Sequence, residues 1–413
     1  MMKYGCIGEH LPHSFSKEIH AHLASNDYRL CELTPEELPA FMERRDFCGI
    51  NVTIPYKKAV IPFLDWIDDA AREIGAVNTI VNREGRLYGY NTDFEGMRMM
   101  IRKEGIDPNG KKVLVLGTGG TSVTARAVAA SMGAREVLSV SRSAKDGAVD
   151  YQTVYEAHTD AEIIINTTPC GMYPNIEGMP IDVSAFPRLA GVVDAVYNPL
   201  CTRLVLEARA HGALAVGGLY MLVAQAVKAS SYFTGMEYGE DTVDDVFAKI
   251  YQRKQNVVLV GMPGCGKSTV GRLLAESMNK KFVDTDELVV SMSGKSISQI
   301  FAEQGEAAFR DLESEAISRA ASEGGCIIAT GGGAVLREEN VTKLRQNGRI
   351  YFLDRPLEEL IPTDDRPLAK TVESIKRRYE ERYDIYCSCA DEIVKTLGDP
   401  ALTAAEIQRR DQI

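Results

Sequence analysis

The chain contains 413 residues, of which 45% are hydrophobic and 25% are charged, a composition typical of a globular protein with two or three domains. Its formal net charge of -11 argues against a nucleic acid or an anionic membrane surface as a partner. The nine cysteines are scattered and lack the paired spacing of a disulfide framework or a zinc site. Because the chain begins without an apolar leader and contains no long apolar run, we expect a cytoplasmic protein.

Strand-like runs alternate with helical patterns along the chain, which predicts an α/β protein with parallel sheets and crossover helices. Before residue 253, strands are predicted at 4–7, 48–52, 77–81, 113–116, 136–140, 162–165 and 191–196. A long helix is predicted from 218 to 233, and a polar connecting helix from 241 to 253. The alternation then begins again, with strands at 256–260, 281–283, 326–329 and 349–353.

A glycine-rich loop follows the predicted strand at 113–116 and opens an alanine-rich helix. This arrangement is typical of a turn whose exposed amides bind the pyrophosphate of a dinucleotide. A serine replaces the third glycine of the usual pattern, and an ordinary tight turn is the alternative interpretation. The candidate cofactor-binding residues are Gly117, Thr118, Gly119, Gly120, Thr121 and Ser122, together with Gly218 at the start of the long helix.

The end of the next predicted strand is basic, whereas NAD sites carry an acidic residue there for the ribose 2′-hydroxyl. Arg142 and Lys145 would neutralise a 2′-phosphate, and Ser141 and Ser143 would donate hydrogen bonds to it. The sequence therefore predicts NADP(H) rather than NAD. The alternative is a basic turn that only faces solvent.

Polar residues cluster at the ends of the predicted strands before this loop. Such a density predicts a polyhydroxylated ligand, because each hydroxyl of the ligand needs a partner. For Asp93 alone, N-capping of the following helix is the alternative role. In order along the chain, the motifs resemble those of the shikimate dehydrogenase family at 13–20, 51–57, 75–79, 91–93, 166–168, 197–199 and 221–225.

The resemblance to shikimate dehydrogenases extends over about residues 3–245. It implies that this part reduces 3-dehydroshikimate to shikimate with NADPH, and that Lys57 and Asp93 are the catalytic pair. An ammonium beside a carboxylate can donate a proton to the alkoxide that forms at C3. The implied substrate-binding residues are Ser14, Ser16, Thr53, Lys57, Asn78, Asp93, Tyr197 and Gln225.

A second phosphate-binding loop at 261–268 matches the pattern GxxxxGK[ST] and follows a predicted strand. Its amides would hold the phosphates of ATP, while Lys267 reaches the β- and γ-phosphates and Ser268 binds Mg²⁺. Asp284 could support the metal, and Asp286 could take the proton of an acceptor hydroxyl. Cys265 is interpreted as a spacer within the loop. The candidate nucleotide-binding residues are Gly264, Cys265, Gly266, Lys267, Ser268 and Thr269.

The last part of the chain is rich in arginine, at 310, 366, 377, 378 and 382, which indicates a small anionic acceptor. The motifs at 282–286, 305–310, 329–333, 365–368 and 382–386 resemble those of the shikimate kinase family, over about residues 256–395. The resemblance implies that Asp286, Arg310, Gly332 and Arg382 bind shikimate, with both arginines on its carboxylate. Asp286 would be the catalytic base, acting with Lys267 and Arg310, and Arg366 would come from a lid over ATP.

The sequence therefore predicts four parts: a substrate-binding α/β domain at 1–100, completed by helices at about 219–245; a Rossmann-type NADP domain at 101–218; returning and connecting helices at 219–253; and a P-loop kinase α/β domain with a parallel sheet at 254–413. The expected partners are the small molecules 3-dehydroshikimate and shikimate, and a homodimer is the oligomeric state considered. Two alternatives remain open. A quinate-type ring acid could be the dehydrogenase substrate, or the chain could be a non-catalytic ligand sensor that retains both folds.

Overall fold

The computed structural model describes residues 2–11, 14–144, 147–360, 372–396 and 398–411. The chain forms two compact units. The first extends to Ile250, except for Tyr173–Glu177 and Pro199–Cys201, which group with the second unit from Tyr251 onward. None of the helices in the described part of the chain has the length and hydropathy that a membrane span requires. The four-part division made from the sequence stays a prediction.

The first unit contains two sheets, and the first of them has parallel and antiparallel pairs. Its strands are β1 (Met2–Gly8), β2 (Tyr28–Glu32), β3 (Phe47–Val52), β4 (Trp66–Ile67), β5 (Thr79–Arg83) and β6 (Arg86–Tyr90), in the order β2-β1-β3-β5-β6-β4. The helices that accompany them are α1 (Ser16–His20), α2 (Glu37–Arg44), α3 (Asp69–Ile74) and α4 (Thr92–Lys103).

Strand β5 pairs antiparallel with both β3 and β6, so the expectation of parallel pairing throughout is wrong for this sheet. The two-residue loop between β5 and β6 accounts for the second of these pairs. Glu84 has a φ of 54° and Gly85 a φ of 85°, and consecutive residues with positive φ form the tight turn that suits a hairpin. A glutamate in such a turn is an uncommon signal, which is why the alternation of strands and helices did not indicate it.

The second sheet of the first unit is parallel throughout, as predicted. Its strands are β7 (Lys112–Leu116), β8 (Glu136–Ser141), β9 (Val149–Asp150), β10 (Ile163–Asn166), β11 (Gly191–Asp194) and β12 (Leu214–Val216), in the order β12-β11-β10-β7-β8-β9. The helices are α5 (Gly120–Ser131), α6 (Tyr151–Ala157), α7 (Arg203–Ala210), α8 (Leu219–Thr234) and α9 (Glu240–Lys254). The central strands β7 and β10 are fully buried, which fits their continuous apolar sequences.

Helix α8 returns to the first sheet. Phe233 stacks on Tyr4 of β1 with 5.4 Å between the ring centroids. A Cβ atom on Gly49 of β3 would lie 2.3 Å from the Phe233 ring, so this glycine lets the helix approach the sheet. A Cβ on Gly96 of α4 would lie 2.7 Å from the Met221 carbonyl oxygen. Close packing against β3 and α4 therefore places Gln225 of α8 beside Thr92 of α4.

The second unit has one parallel sheet of five strands. They are β13 (Asn256–Val260), β14 (Lys281–Asp284), β15 (Cys326–Ala329), β16 (Gly348–Asp354) and β17 (Glu392–Lys395), in the order β14-β15-β13-β16-β17. The helices are α10 (Lys267–Ser277), α11 (Thr285–Ser293), α12 (Ile297–Ser322), α13 (Glu338–Asn347), α14 (Val372–Cys389) and α15 (Pro400–Arg410). Strand β13 is central and buried, so the loop that follows it opens at the carboxyl edge of the sheet.

Helix α12 is broken at Gly305, which has a φ of 82° and a ψ of 177°. The break folds the first part of α12 back toward the second. As a result, the rings of Phe301 and Phe309 lie 4.9 Å apart, although eight residues separate them.

Candidate active sites

Lys57 and Asp93 form a close ion pair in the first unit. Lys57 Nζ donates a hydrogen bond to Asp93 Oδ2 at 2.6 Å, and the two side chains are 14% and 9% exposed. Asp93 lies in the first turn of α4, but Asn91 is the N-cap and accepts from the Phe94 N–H at 3.2 Å. Capping by Asp93, the alternative role, is therefore wrong, and its carboxylate is available to Lys57.

Asn78 and Gln225 are joined by Thr92. Asn78 Oδ1 accepts from the Thr92 N–H at 2.7 Å, and Asn78 Nδ2 donates to Thr92 Oγ1 at 3.1 Å. Thr92 Oγ1 in turn lies 3.4 Å from Gln225 Oε1. All three residues are buried. Thr92 directly precedes Asp93, so one short segment fixes both predicted amides beside the ion pair.

A second layer of polar groups supports Asn78. The Tyr28 hydroxyl donates to Asn51 Oδ1 at 2.7 Å, and Asn51 Nδ2 donates to Thr79 Oγ1 at 3.1 Å. His20 stacks on Tyr28 with 3.9 Å between ring centroids, and burial lowers the pKa of His20 to about 3. The imidazole is therefore neutral and serves packing. Sequence reasoning missed Tyr28, because its strand β2 was not predicted.

The serine segment lies against Tyr197. The Ser16 N–H donates to Ser14 Oγ at 3.3 Å, and the ring of Phe15 between them packs edge-on against Tyr197 at 5.2 Å. Burial raises the pKa of Tyr197 to about 12, so its hydroxyl is a neutral donor. Thr53 is half-buried, and its N–H donates to the Ile7 carbonyl at 2.9 Å. These residues can offer hydroxyls to a small polar ligand.

The first glycine loop has the close approaches that a dinucleotide site needs. Gly117 has a φ of 108°, and a Cβ there would lie 2.8 Å from Thr167 Oγ1. Ser122, which replaces the third glycine, is buried and donates from Oγ to the Gly117 carbonyl at 2.6 Å. Its hydroxyl therefore closes the loop instead of obstructing it. Thr118 and Gly119 are exposed and Thr121 is half-buried at the start of α5, which fits an anionic pyrophosphate.

The loop also lies next to the catalytic pair. A Cβ on Gly120 would be 3.7 Å from Lys57 Cδ. Gly218 precedes α8, where its N–H donates to the Val196 carbonyl at 2.8 Å. A Cβ at Gly218 would lie 2.3 Å from the Ala195 carbonyl oxygen, so a side chain does not fit there.

The residues predicted to select NADP lie just beyond β8. Ser141 is half-buried, Arg142 and Ser143 are exposed, and the Ser143 N–H donates to Ser141 Oγ at 3.4 Å. Lys145 lies outside the described residues. An exposed guanidinium just after β8 fits the predicted charge-assisted bond to a 2′-phosphate.

We expect Arg142→Gln to raise the KM for NADPH roughly 10-fold and to leave the KM for NADH unchanged, because a charge-assisted bond to the 2′-phosphate is lost. The measurement is the steady-state rate of 3-dehydroshikimate reduction with each cofactor. Arg135→Gln is the matched control, since the Arg135 side chain is 58% exposed and lies at the opposite end of β8 from Arg142. A wild-type preference for NADH would contradict the NADP assignment.

A buried carboxylate supports the strand ends behind the loop. Asp194 of β11 lies beside Asn166 of β10 and accepts from Asn166 Nδ2 at 2.9 Å. It also accepts from the Val196 N–H at 3.0 Å and from Thr202 Oγ1 at 2.6 Å. Burial is the main reason why the pKa of Asp194 rises to about 6, and these three donors oppose the rise. Asp194 thus orders the polar segment that contacts Gly117.

We expect Asp194→Asn to flatten the pH dependence of unfolding. The folded-state pKa of Asp194, about 6, exceeds the unfolded value of about 3.9, so its protonation stabilises the fold below pH 4 and this contribution is lost as the pH rises through 6. The free energy of unfolding of the variant, relative to wild type, should therefore rise by about 2 to 3 kcal/mol between pH 4 and 7. Urea unfolding followed by the fluorescence of the single tryptophan, Trp66, reports on the first unit. A difference that is constant with pH would contradict this assignment.

In the second unit, a cavity of about 300 Å³ brings the predicted kinase residues together. Cys265 does not line it, and Arg366 lies outside the described residues. The predicted residues that line the cavity are Gly264, Gly266, Lys267, Ser268, Thr269, Asp284, Asp286, Arg310, Gly332 and Arg382.

The phosphate-binding loop folds around its own lysine. Lys267 Nζ donates to the Gly261 and Met262 carbonyls at 2.8 and 3.0 Å, so the side chain lies along the loop. Gly264 and Gly266 have φ values of 85° and 99°, which only glycine adopts readily. Cys265 is buried, and its Sγ lies 3.8 Å from Lys267 Nζ. This burial fits the role of a spacer.

Ser268 and Asp284 present oxygen atoms at one point of the cavity. Ser268 Oγ donates to Asp284 Oδ2 at 2.6 Å, and Asp284 Oδ1 accepts from the Asp286 N–H at 3.0 Å. A hydroxyl and a carboxylate beside a triphosphate loop fit Mg²⁺, which binds few protein ligands together with phosphate and water oxygens. Asp286 lines the same cavity.

Three consecutive glycines allow charged side chains to pack closely on the side of the cavity where the acceptor is predicted to bind. A Cβ on Gly331 would lie 2.6 Å from Asp286 Oδ1 and from Glu313 Oε1. A Cβ on Gly333 would lie 2.0 Å from Arg310 Nη1. The Gly332 carbonyl accepts from Arg382 Nη1 at 3.0 Å and from the Tyr386 hydroxyl. The glycine run after β15 therefore packs directly against the predicted acid-binding residues.

Glu313 is a member of this site that sequence reasoning missed. Its carboxylate is 1% exposed and pairs with Arg310 at 2.7 Å, and Glu306 pairs with Arg310 at 3.0 Å. Burial raises the pKa of Glu313, although Arg310 opposes the rise. The spacing of three residues on one helix was the available signal for the Arg310–Glu313 pair.

Sequence profiles of two families match the chain. The shikimate dehydrogenase substrate binding domain matches residues 6–80, and shikimate kinase matches residues 263–411. The chain is 35% identical over 267 residues, 60% of its length, to a shikimate dehydrogenase (NADP(+)) of Clostridium perfringens, of which 98% is covered. It is 49% identical over 146 residues, 34% of its length, to a shikimate kinase of Clostridium beijerinckii, of which 86% is covered.

A solved structure shows the same fold in the first part of the chain. The shikimate 5-dehydrogenase of Thermus thermophilus, in complex with NADP(H) and shikimate, matches with a TM-score of 0.55 and 30% identity, over 60% of this chain and 99% of that one. The two family matches cover separate regions. The chain therefore belongs to the shikimate dehydrogenase family in its N-terminal part and to the shikimate kinase family in its C-terminal part, and it joins the two in one polypeptide.

Proposed function

We propose that the chain reduces 3-dehydroshikimate to shikimate with NADPH and then phosphorylates the shikimate 3-hydroxyl with ATP. One observation carries the proposal: each unit holds a set of reactive side chains beside its own glycine loop. Lys57 and Asp93 lie next to Gly120, whereas Asp286 and Arg310 line a cavity with Lys267. The product of the first reaction is the acceptor of the second, so the two reactions are consecutive steps.

In the dehydrogenase part, NADPH supplies a hydride to the C3 carbonyl when it is bound at the loop from Gly117. Lys57 donates a proton from Nζ to the C3 oxygen as negative charge develops there. Asp93, 2.6 Å from Nζ, keeps the ammonium aimed at that oxygen. The amides of Asn78 and Gln225 bind ring hydroxyls in orientations that Thr92 fixes.

The same part binds the remaining polar groups of the ring acid through hydroxyls. Ser14, Ser16 and Tyr197 lie together around the ring of Phe15, and Thr53 precedes Lys57 by four residues. We assign the carboxylate to the two serines, because two hydroxyls can donate to its two oxygens.

In the kinase part, Asp286 accepts the proton of the 3-hydroxyl as its oxygen bonds to the γ-phosphorus of ATP, while the bond from that phosphorus to the bridging oxygen breaks and ADP leaves. Lys267 leaves the Gly261 and Met262 carbonyls and binds the β- and γ-phosphates. Arg310 and Arg382 bind the carboxylate of the acceptor. Ser268 and Asp284 would hold Mg²⁺, which neutralises phosphate charge.

The alternatives from the sequence are not favoured. A non-catalytic sensor would be expected to have lost a reactive residue, yet Lys57, Asp93, Lys267 and Asp286 are all present. No specific contact of the described residues favours quinate. We also propose a cytoplasmic location, because buried thiols such as Cys6, Cys326 and Cys389 are not in disulfides. We propose that the chain forms a homodimer, and light scattering of the purified protein tests this oligomeric state.

A coupled assay tests the proposed function. Purified chain is supplied with 3-dehydroshikimate, NADPH, ATP and Mg²⁺, and we expect one NADPH and one ATP to be consumed for each shikimate 3-phosphate formed. Omission of ATP should stop the reaction at shikimate. Reduction of quinate-type ketones at an equal rate, or the absence of either turnover, would contradict the proposal.

A further inference from the structure

Arg378 is a third arginine in the kinase cavity, and the proposed mechanism gives it no role. It lies on α14, four residues before Arg382, so the two side chains leave the helix on the same face. Arg378 is 8% exposed and lines the cavity together with Arg310 and Arg382. Its guanidinium is therefore inside the site and not on its rim.

The environment of Arg378 does not neutralise its charge. Its hydrogen bond goes from Nη1 to the Ser374 carbonyl at 3.2 Å, and no carboxylate of the described residues forms an ion pair with it. The neighbouring Arg377 is different, because its side chain is 69% exposed and pairs with Glu381 at 3.7 Å. A buried cation without an anionic partner is costly, which indicates that an anion completes the site when it is loaded.

The position of Arg378, one helical turn before Arg382 on α14, places it on the acceptor side of the cavity. Burial, followed by repulsion from Arg382 and Arg377, lowers the pKa of Arg378, and Glu306 is among the groups that oppose this. Glu306 also pairs with Arg310 at 3.0 Å. Arg378 thus shares its neighbours with the two arginines that the proposed function assigns to the carboxylate, and not with Lys267 at the phosphate loop.

The three arginines of the cavity differ in the charged partners that they already have. Arg310 is already paired with Glu306 and Glu313, whereas Arg382 bonds to the Gly332 carbonyl, which carries no charge. Arg378 and Arg382 thus have no ion-pair partner among the described residues, and the carboxylate of a ring acid could lie between them.

We propose that Arg378 binds the carboxylate of the acceptor together with Arg310 and Arg382 and thereby determines the specificity of the kinase for an acid. This inference rests on the proposed kinase function. Arg378 would select an acceptor that carries a negative charge, and it would take no part in the phosphoryl transfer.

The test compares the variants Arg378→Met and Arg378→Lys with the control Arg377→Met in the full chain. We expect Arg378→Met to raise the KM for shikimate roughly 10- to 100-fold, with kcat and the KM for ATP nearly unchanged, because a charge-assisted contact is lost. Arg378→Lys should recover part of the loss, and Arg377→Met should behave as wild type. The dehydrogenase rate of each variant checks that the purified chain is intact.

Shikimate methyl ester separates binding of the carboxylate from a general effect on the fold. The wild type should prefer the acid to the ester, and Arg378→Met should lose most of that preference, whereas Arg378→Lys should keep it. An equal rise in KM for acid and ester, a rise in the KM for ATP alone, or unchanged kinetics would overturn the inference. Failure of the wild type to phosphorylate shikimate would overturn the proposed function and this inference with it.

Discussion

Replacement of Lys57 by alanine is expected to lower the rate of 3-dehydroshikimate reduction by about 1,000-fold, because Lys57 is the group placed to protonate the C3 oxygen. Asp93 would remain beside the oxygen as an unpaired, largely buried carboxylate and would repel the alkoxide. The kinase rate of the same chain should be unchanged. The measurement is NADPH oxidation at saturating substrate, with shikimate phosphorylation assayed in parallel.

Lys58 provides the matched control, since it is the next residue and is exposed. Lys58→Ala should retain both activities. If Lys57→Ala reduced only substrate affinity and kept a normal kcat, the proton-donor role would be wrong, and Lys57 would be a binding residue. Equal loss of both activities would instead indicate unfolding.

The second large effect is expected at Lys267. Lys267→Ala should lower the kinase rate on the order of 1,000-fold, because the charge that develops on the transferred phosphoryl group loses its ammonium. The side chain is buried in the loop and bonds to two backbone carbonyls, so its removal disrupts no ion pair of the described residues. The measurement is ADP release with shikimate, with dehydrogenase activity followed in the same preparation.

Lys281→Ala is the control for this variant, since Lys281 is 62% exposed and pairs with Glu323 away from the loop. An active Lys267→Ala chain would contradict the proposed phosphate contact. An equimolar mixture of the Lys57→Ala and Lys267→Ala chains should convert 3-dehydroshikimate to shikimate 3-phosphate again, because shikimate is released by one chain and taken up by the other.

The sequence was most informative where the chemistry depends on consecutive residues. The loops at Gly117 and Gly261 each follow a buried strand and open a helix, so their place at a sheet edge follows from the pattern alone. Spatial pairs on separate elements, such as Lys57 with Asp93, were reached through the family resemblance. Their geometry depends on how α4 packs, which a pattern does not specify.

The residues to which the sequence assigned no role act through other side chains. Asn51 and Thr92 stand in the motifs at 51–57 and 91–93, whereas Tyr28 stands in none. Thr92, Asn51 and Tyr28 belong to a network of hydrogen bonds across β2, β3 and α4, and such a network exists only after the sheet has formed. The antiparallel β5–β6 pair was missed because Glu84 occupies a backbone conformation that glutamate rarely adopts. The hydrogen-bond network and the hairpin therefore depend on tertiary packing, which the local sequence preferences do not specify.

The break in α12 shows how the backbone conformation of one residue shapes the cavity of the second unit. In an unbroken helix, residues 301 and 309 would be about 12 Å apart along the axis, and their rings could not touch. The conformation of Gly305 brings the two rings together, and both phenylalanines line the cavity. No atom of the described residues lies within 4 Å of a Cβ built on Gly305. This position therefore disfavours any side chain although there is space for one, because glycine adopts a φ of 82° with a ψ of 177° and other residues avoid it.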